Sequence, residues 1–397
     1  MIAHIDIELD DNFYTNPYAE YRRLLEYKPV IWSKKRNAWL VLGYEEIKEG
    51  LLLPSLSSQR TASAALNAKG IYSEDNLQKL EGFYSNWLMY MDGQNHLALR
   101  RAVVKALNMS VTDDTDDFAR SLAHDLINRT SFDSQTDLIS EVIMPYCGHL
   151  MLHVLGIPKL TYAELLELTK NIVGFLGMSS FDQDVADKVL TDILKLEQVI
   201  DGGYLNETGF VHLFLQQIAS FNLSKQTMVG LLGNLLVDGH EPMAYALSDA
   251  IWGLMFKYGT LCEAFPNGVS EATVEYLIHR SPPFQYASRI ITDDISIGGE
   301  RLKKGDRVLF MLGSGNRDYR LFSNEEECPV HKGNQTLSFG YGAHYCPGAK
   351  LARSALKIFL EELFLNVPSL SLVSNVDHQW FKSLGYRQIQ GLYVQLK

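Results

Sequence analysis

The chain has 397 residues, 46% of them hydrophobic and 21% charged, with a formal net charge of -11. That composition describes a folded, enzyme-sized body able to bury a large core, with no segment biased enough for disorder. The acidic balance argues against nucleic acid or an anionic membrane surface as the main partner, since both need concentrated positive charge.

The first residues, Met1 to Glu8, lack the basic start and apolar core of a signal peptide. Cys147, Cys262, Cys328 and Cys346 form no Cys-x-x-Cys pair, so free thiols in a reducing, cytoplasmic setting are expected. Residues 16 to 27 read as a helix, with Asn16 as its cap, Pro17 at its first position, and Tyr21, Leu24 and Leu25 on one face. A hairpin of Val30 to Ser33 and Ala38 to Leu42 follows, turning through Lys34 to Asn37. From about 94 to 260 helical periods dominate. The longest apolar stretch, Met228 to Phe256, is interrupted by Asn234, Asp238, His240, Glu241 and Asp249, which makes it a buried helix and not a membrane span. Short β-like runs occupy Ser288 to Met311, and a last long helix carries Ala352, Leu356, Phe359 and Leu363 on one face. The expected fold is mainly α with a minor β region. No repeat or linker is visible, so residues 1-397 are expected to form a single domain.

The strongest motif is Ser338-Phe-Gly-Tyr-Gly-Ala-His-Tyr-Cys346-Pro-Gly-Ala-Lys-Leu-Ala-Arg353. A cysteine just ahead of a helix is well placed to be a thiolate, because the helix N-terminus favours an anion. Pro347 suits the first helical position, glycines 340, 342 and 348 allow amides near the sulfur, and Phe339 is placed to shield it. With Phe339, Gly342, Cys346 and Gly348 on the pattern Phe-x-x-Gly-x-x-x-Cys-x-Gly, the segment resembles the heme-binding loop of cytochromes P-450. The resemblance extends in order over most of the chain and implies the cytochrome P-450 fold, heme b as cofactor, and Cys346 as axial ligand of its iron. It also implies propionate partners: His96 and Arg100, one turn apart on a helix, Arg289 at the start of the β-like region, and His344.

A rival metal reading rests on His149-Leu-Met-Leu-His153, whose spacing could hold zinc on one helical face. No third ligand is near it in sequence, and His240-Glu241 has Ala244 where a zinc protease has its second histidine. Both are expected to be ordinary histidines.

Two departures from the family stand out. The segment Asp238-Gly-His-Glu-Pro242-Met resembles the oxygen-binding stretch of the family's central helix, but Pro242 follows Glu241 where typical members have threonine. Proline cannot donate, and it clashes with the carbonyl of Asp238, so the usual proton relay is broken and Glu241, His240 and Pro242 become the catalytic candidates. The family's Glu-x-x-Arg pair aligns with Tyr276 and His279, and Glu275 and Arg280 are one residue too far apart to replace it. Cys328 to Gln335 offers no third arginine for that network, and Arg317 matches a different family feature.

These readings imply a heme-dependent, monooxygenase-type oxidoreductase acting on a small organic, apolar or aromatic substrate. By resemblance, Ala62 to Tyr90, Val237 to Pro242 and Ser281 to Tyr286 wall its pocket, with Phe83, Trp87, Tyr90, Phe284 and Tyr286 as apolar lining. One alternative is heme chemistry without monooxygenation, as a peroxide-dependent enzyme, isomerase or dehydratase. Another is a non-catalytic helper of the same fold. Lys350, Arg353 and Lys357, with Arg101 and Lys105, are expected to form a basic patch for an acidic ferredoxin- or flavodoxin-type electron donor.

Overall fold

The computed structural model describes residues 6–59, 72–133, 135–177, 181–201, 205–221, 223–322, 335–374 and 376–397. Cys328 and residues 62–71 of the expected Ala62 to Tyr90 wall lie outside them. Two compact units emerge, one of Met1–Ser57, Ala123–Ile143 and Pro242–Lys397, the other of Ser58–Leu122 and Met144–Glu241.

The first unit holds the β-structure. Its helix Pro17–Tyr27 starts as expected, the Asn16 side chain accepting from the Tyr18 amide and Pro17 filling the first turn. The hairpin pairs Val30 with Val41 and Ser33 with Ala38, turning on Asn37 at φ 46, a left-handed conformation that asparagine tolerates. A five-stranded sheet runs Val30–Ser33, Ala38–Val41, Arg307–Phe310, Ala287–Ile291, Leu56–Ser57, with Ala38–Val41 and Arg307–Phe310 parallel. Helix Tyr44–Leu51 covers one face and buries Tyr44 and Ile47 with Val30, Val41, Phe310 and Leu337. A Cβ on Gly50 would lie 2.2 Å from the Phe310 ring, so glycine sets that approach. Arg387 joins distant segments of this unit: its Nε donates to Asp249 at 3.0 Å and its other nitrogens to the carbonyls of Tyr14 and Thr15.

The second unit is helical. Helix Gly93–Ser110 packs on Phe210–Ile218, and Tyr162–Gly177 on Gln183–Asp201. The helix Lys225–Tyr258 carries Pro242 inside it, and the division between units falls at Glu241 and Pro242. Within the second unit, a Cβ at Gly233 would meet the Phe83 ring at 2.3 Å and one at Gly239 would meet Met151 at 2.5 Å. Small residues therefore let this helix bed onto its neighbours. Phe83 is thereby a core residue, edge-on to Tyr84 and Trp87, and Tyr84 stacks on Phe175 and donates to the Ile172 carbonyl. Among the described residues no helix is long and apolar enough to cross a membrane.

Candidate active site

The cysteine loop belongs to the first unit and is built from two short turns. Thr336 caps the first, Leu337–Phe339, by accepting from the Ser338 amide, and Gly342–His344 forms the second. Gly340 and Gly342 both sit at φ 70, where a side chain is strained. A Cβ at Gly342 would also press within 2.9 Å of the Leu51 carbonyl. The loop closes where the Cys346 amide donates to the Phe339 carbonyl at 2.8 Å. Cys346 is half-buried and is in no disulfide among the described residues. Of the three glycines, a Cβ would come near the sulfur at Gly348, at 3.9 Å, while Gly340 and Gly342 hold left-handed backbone. Pro347 also lies ahead of the helix, which runs Ala349–Asn366 with Gly348 at its N-cap.

Asn316, buried at 1% exposure, holds this loop to the helix Glu271–Arg280. Its Oδ1 accepts from the Leu337 amide at 2.8 Å, and its Nδ2 donates to the His279 carbonyl and the Ser338 hydroxyl, each at 2.9 Å. Ser338 donates in turn to the Ile278 carbonyl at 2.6 Å. Arg317 donates to the Arg280 carbonyl and lies over the Tyr18 ring; its burial pushes the guanidinium down to about 10.

The expected Glu-x-x-Arg position is indeed neutral. His279 is buried, edge-on to Phe322 at 5.0 Å, and burial with Arg317 and Arg280 nearby pushes its imidazole down to about 3. Its neighbour Glu275 finds a partner that local spacing did not show: it receives the guanidinium of Arg353, which also reaches the Tyr345 hydroxyl and lies 4.5 Å over the Phe339 ring. The expected basic stripe is corrected accordingly. Arg353 is half-buried and paired, and Lys357 pairs with Glu271 at 3.6 Å, which leaves Lys350 as the exposed residue of the three. Arg101 and Lys105 are exposed in the second unit.

The remaining candidates take these places. Arg289, half-buried in the strand Ala287–Ile291, donates to the Ser288 carbonyl at 2.8 Å. His344 is half-buried in the second loop turn. Phe284 lies 5.4 Å from the Tyr386 ring. In the second unit, His96 is buried and Arg100 half-buried on the helix Gly93–Ser110. His149 tilts against Tyr162 and His153 stacks on Phe118 at 3.9 Å. Trp87 stacks on Tyr90 at 6.0 Å.

On the long helix, His240 is buried, with Nδ1 2.8 Å from the Leu236 carbonyl. A carbonyl only accepts, so Nδ1 carries the proton and Nε2 is a bare acceptor, which has no hydrogen-bond partner among the described residues. Burial pushes its imidazole down, so His240 is neutral. Asp238, not singled out from sequence, is a carboxyl that burial and the nearby Glu241 charge push up to about 7.

A model of the cytochrome P-450 family matches residues 280–367. The biotin biosynthesis cytochrome P-450 of Bacillus subtilis is 24% identical over 401 residues, covering 96% of each chain. Linalool 8-monooxygenase of Pseudomonas putida is 26% identical over 372 residues, covering 90% of each. Among solved structures, P-450BioI in complex with an acyl carrier protein carrying hexadec-9Z-enoic acid superposes with a TM-score of 0.84 at 21% identity, covering 97% of this chain and 100% of that one. Cytochrome P-450epoK bound to epothilone B gives 0.84 at 19% identity, covering 99% and 100%. The mainly α fold with its minor sheet is thus the cytochrome P-450 fold, and the chain is similar over most of its length to cytochromes P-450, which supports an oxidoreductase of the monooxygenase type with heme b as its cofactor.

Proposed function

We propose that this enzyme oxidises a small organic substrate by hydroxylation-type chemistry, and that the Cys346 thiolate would hold the heme iron. The observation that carries this is the loop itself: a half-buried cysteine outside any disulfide, its amide tied to the Phe339 carbonyl, with the Cβ-less Gly348 beside the sulfur. Those features suit a thiolate ligand, so the residues present fit the group. When bound, heme supplies the iron at which dioxygen or peroxide is activated, and a thiolate ligand favours cleavage of the O–O bond.

The chain's own residues do the rest. His96, Arg100, Arg289 and His344 would hold the propionates, and Phe339, under the Arg353 guanidinium, keeps water from the sulfur. His240 offers a lone pair and no proton at Nε2, so Glu241 is the group left to deliver protons on that turn, with no hydroxyl at Pro242 to relay them. That gap favours peroxide as an alternative oxidant. Trp87 and Tyr90 in one unit, and Phe284 and Tyr286 in the other, are the apolar and aromatic residues that suit such a substrate. Lys350, Arg101 and Lys105 serve an acidic ferredoxin- or flavodoxin-type donor in the cytoplasm.

The test is the absorption spectrum of the reduced, carbon monoxide-bound protein and of Cys346→Ala. Wild type is expected to give the thiolate-ligated spectrum, and the variant to lose it while keeping its far-ultraviolet circular dichroism. A variant with an unchanged thiolate spectrum would show that Cys346 is not the ligand.

A further inference from the structure

The long helix carries a polar assembly that the chemistry above does not use. Asn234 and Asp238 stand one turn apart. The Asn234 Oδ1 accepts from the Leu88 amide at 3.0 Å, which fixes which end of the amide is the donor, and Nδ2 then donates to the Asp238 Oδ2 at 2.5 Å. The second carboxylate oxygen of Asp238 has no hydrogen-bond partner among the described residues, and Asp238 forms no ion pair with them. Its backbone carbonyl is also released, because Pro242, four residues on, has no N–H to give it.

Residue 238 therefore presents, on a half-buried side chain, a carboxylate oxygen without a protein partner, next to a carbonyl that lacks its usual helical donor. A carboxylate drawn partly away from water without a cation is destabilised. Removal from water and the charge of Glu241 push this carboxyl up to about 7, a state that an opposing positive charge would reverse. Leu88, whose amide pins Asn234, is flanked by the Trp87 and Tyr90 rings stacked at 6.0 Å, and aromatic faces attract cations.

We propose that Asp238, oriented by Asn234, is a recognition site for a cationic nitrogen on the substrate, so that the preferred ligand is an apolar or aromatic body bearing one ammonium- or guanidinium-type group. This rests on the reading of Val237 to Pro242 as a wall of the substrate pocket, and it narrows the substrate class. The site needs no step of the oxidation. It selects which molecule is held.

The test is calorimetric binding of three probes that share one apolar body: phenylbutylguanidinium, phenylbutanol and phenylbutanesulfonate. At about pH 8, where the carboxyl is mostly ionised, wild type is expected to bind the guanidinium probe at least about tenfold tighter than the alcohol, and the sulfonate weakest. Asp238→Asn preserves size and removes the charge, so its guanidinium preference should fall to near parity while its affinity for the alcohol holds. Glu241→Gln should keep the preference. A wild-type protein without the preference overturns the proposal, and so does an Asp238→Asn variant that retains it; the wild-type series decides even if the variant fails to fold. The carbon monoxide spectrum of the same preparations separates this from the heme reading. A normal spectrum without guanidinium preference refutes the cation site alone, whereas a preference that Asp238→Asn abolishes supports it whatever the spectrum shows.

Discussion

Replacing Asn316 with alanine should cost more than its distance along the chain from Cys346 suggests. The side chain is 1% exposed and makes three good hydrogen bonds, to the Leu337 amide, the His279 carbonyl and the Ser338 hydroxyl, between 2.8 and 2.9 Å. Each such bond contributes about 1 kcal/mol net, and a buried partner left unsatisfied costs about 1–3 kcal/mol. Ser338 retains a partner in the Ile278 carbonyl, so the Leu337 amide and the His279 carbonyl carry the penalty. Two such penalties come to about 2–6 kcal/mol, a large share of a typical folding free energy of about 5–15 kcal/mol. Because the Leu337 turn opens the cysteine loop, thiolate ligation should weaken in parallel. Urea denaturation of wild type and Asn316→Ala, followed both by circular dichroism and by the carbon monoxide spectrum, measures the two effects. Asn316→Asp should be no better, since it sets a carboxylate against the His279 carbonyl. A loss below about 1 kcal/mol with an unchanged spectrum would refute the view that Asn316 holds the loop.

Two further outcomes follow from the same geometry. Pro242→Thr should improve coupling of reduced-cofactor consumption to product and lower any peroxide-driven turnover, both read by product analysis; equal coupling in the two proteins would place proton delivery elsewhere. His279 is held near 3 in the folded protein against 6.5 ordinarily. The unfolded chain therefore binds the extra proton, and the stability this neutral histidine allows is full above about pH 6.5 and is lost as pH falls toward 3. His279→Leu should remove that sensitivity, so that between pH 7 and pH 5 wild type loses about 2 kcal/mol more than the variant in denaturation midpoints. By the same logic, Tyr276→Glu with His279→Arg should lower the melting temperature, since it buries a new cation beside Arg317 and Arg280.

The parts of this site that could be read from sequence are those whose determinants are local. Phe339 to Gly348 is one continuous motif, and its turns, glycines and following helix lie within a few residues of the cysteine. The capped helix at Asn16 and the hairpin were legible for the same reason. Arg353 was not. Spacing of three and four residues shows that Lys350, Arg353 and Lys357 share a helical face, but not that Glu275, 78 positions away, covers part of it. Asn316 reaches partners 37 and 21 positions distant, and no periodicity encodes such contacts. Asp238 stood in plain view within a recognised segment, yet its character depends on burial and on the Leu88 amide that fixes Asn234.

Loss of the family's Glu-x-x-Arg pair does not leave the cysteine loop untethered, because the same helix is gripped by other means. The last turn of any helix leaves carbonyls without intrahelical partners. At the end of Glu271–Arg280, the carbonyls of Ile278, His279 and Arg280 each accept from a different side chain, those of Ser338, Asn316 and Arg317. Ser338 belongs to the cysteine loop, and Asn316 also holds the Leu337 amide of that loop. One turn earlier, Glu275 takes Arg353 from the helix that follows Cys346, and Arg353 covers Phe339. The half-buried Glu275–Arg353 pair sets its attraction against the cost of leaving water, and such pairs contribute little net stability, whereas the buried carbonyl bonds lose their partners at a cost of about 1–3 kcal/mol each. The carbonyl latch is therefore the stronger tie, and it is indifferent to whether residues 276 and 279 are charged. A neutral His279 is what such a latch permits: with Arg317 and Arg280 already beside it, a third cation there would weaken the joint that positions the thiolate.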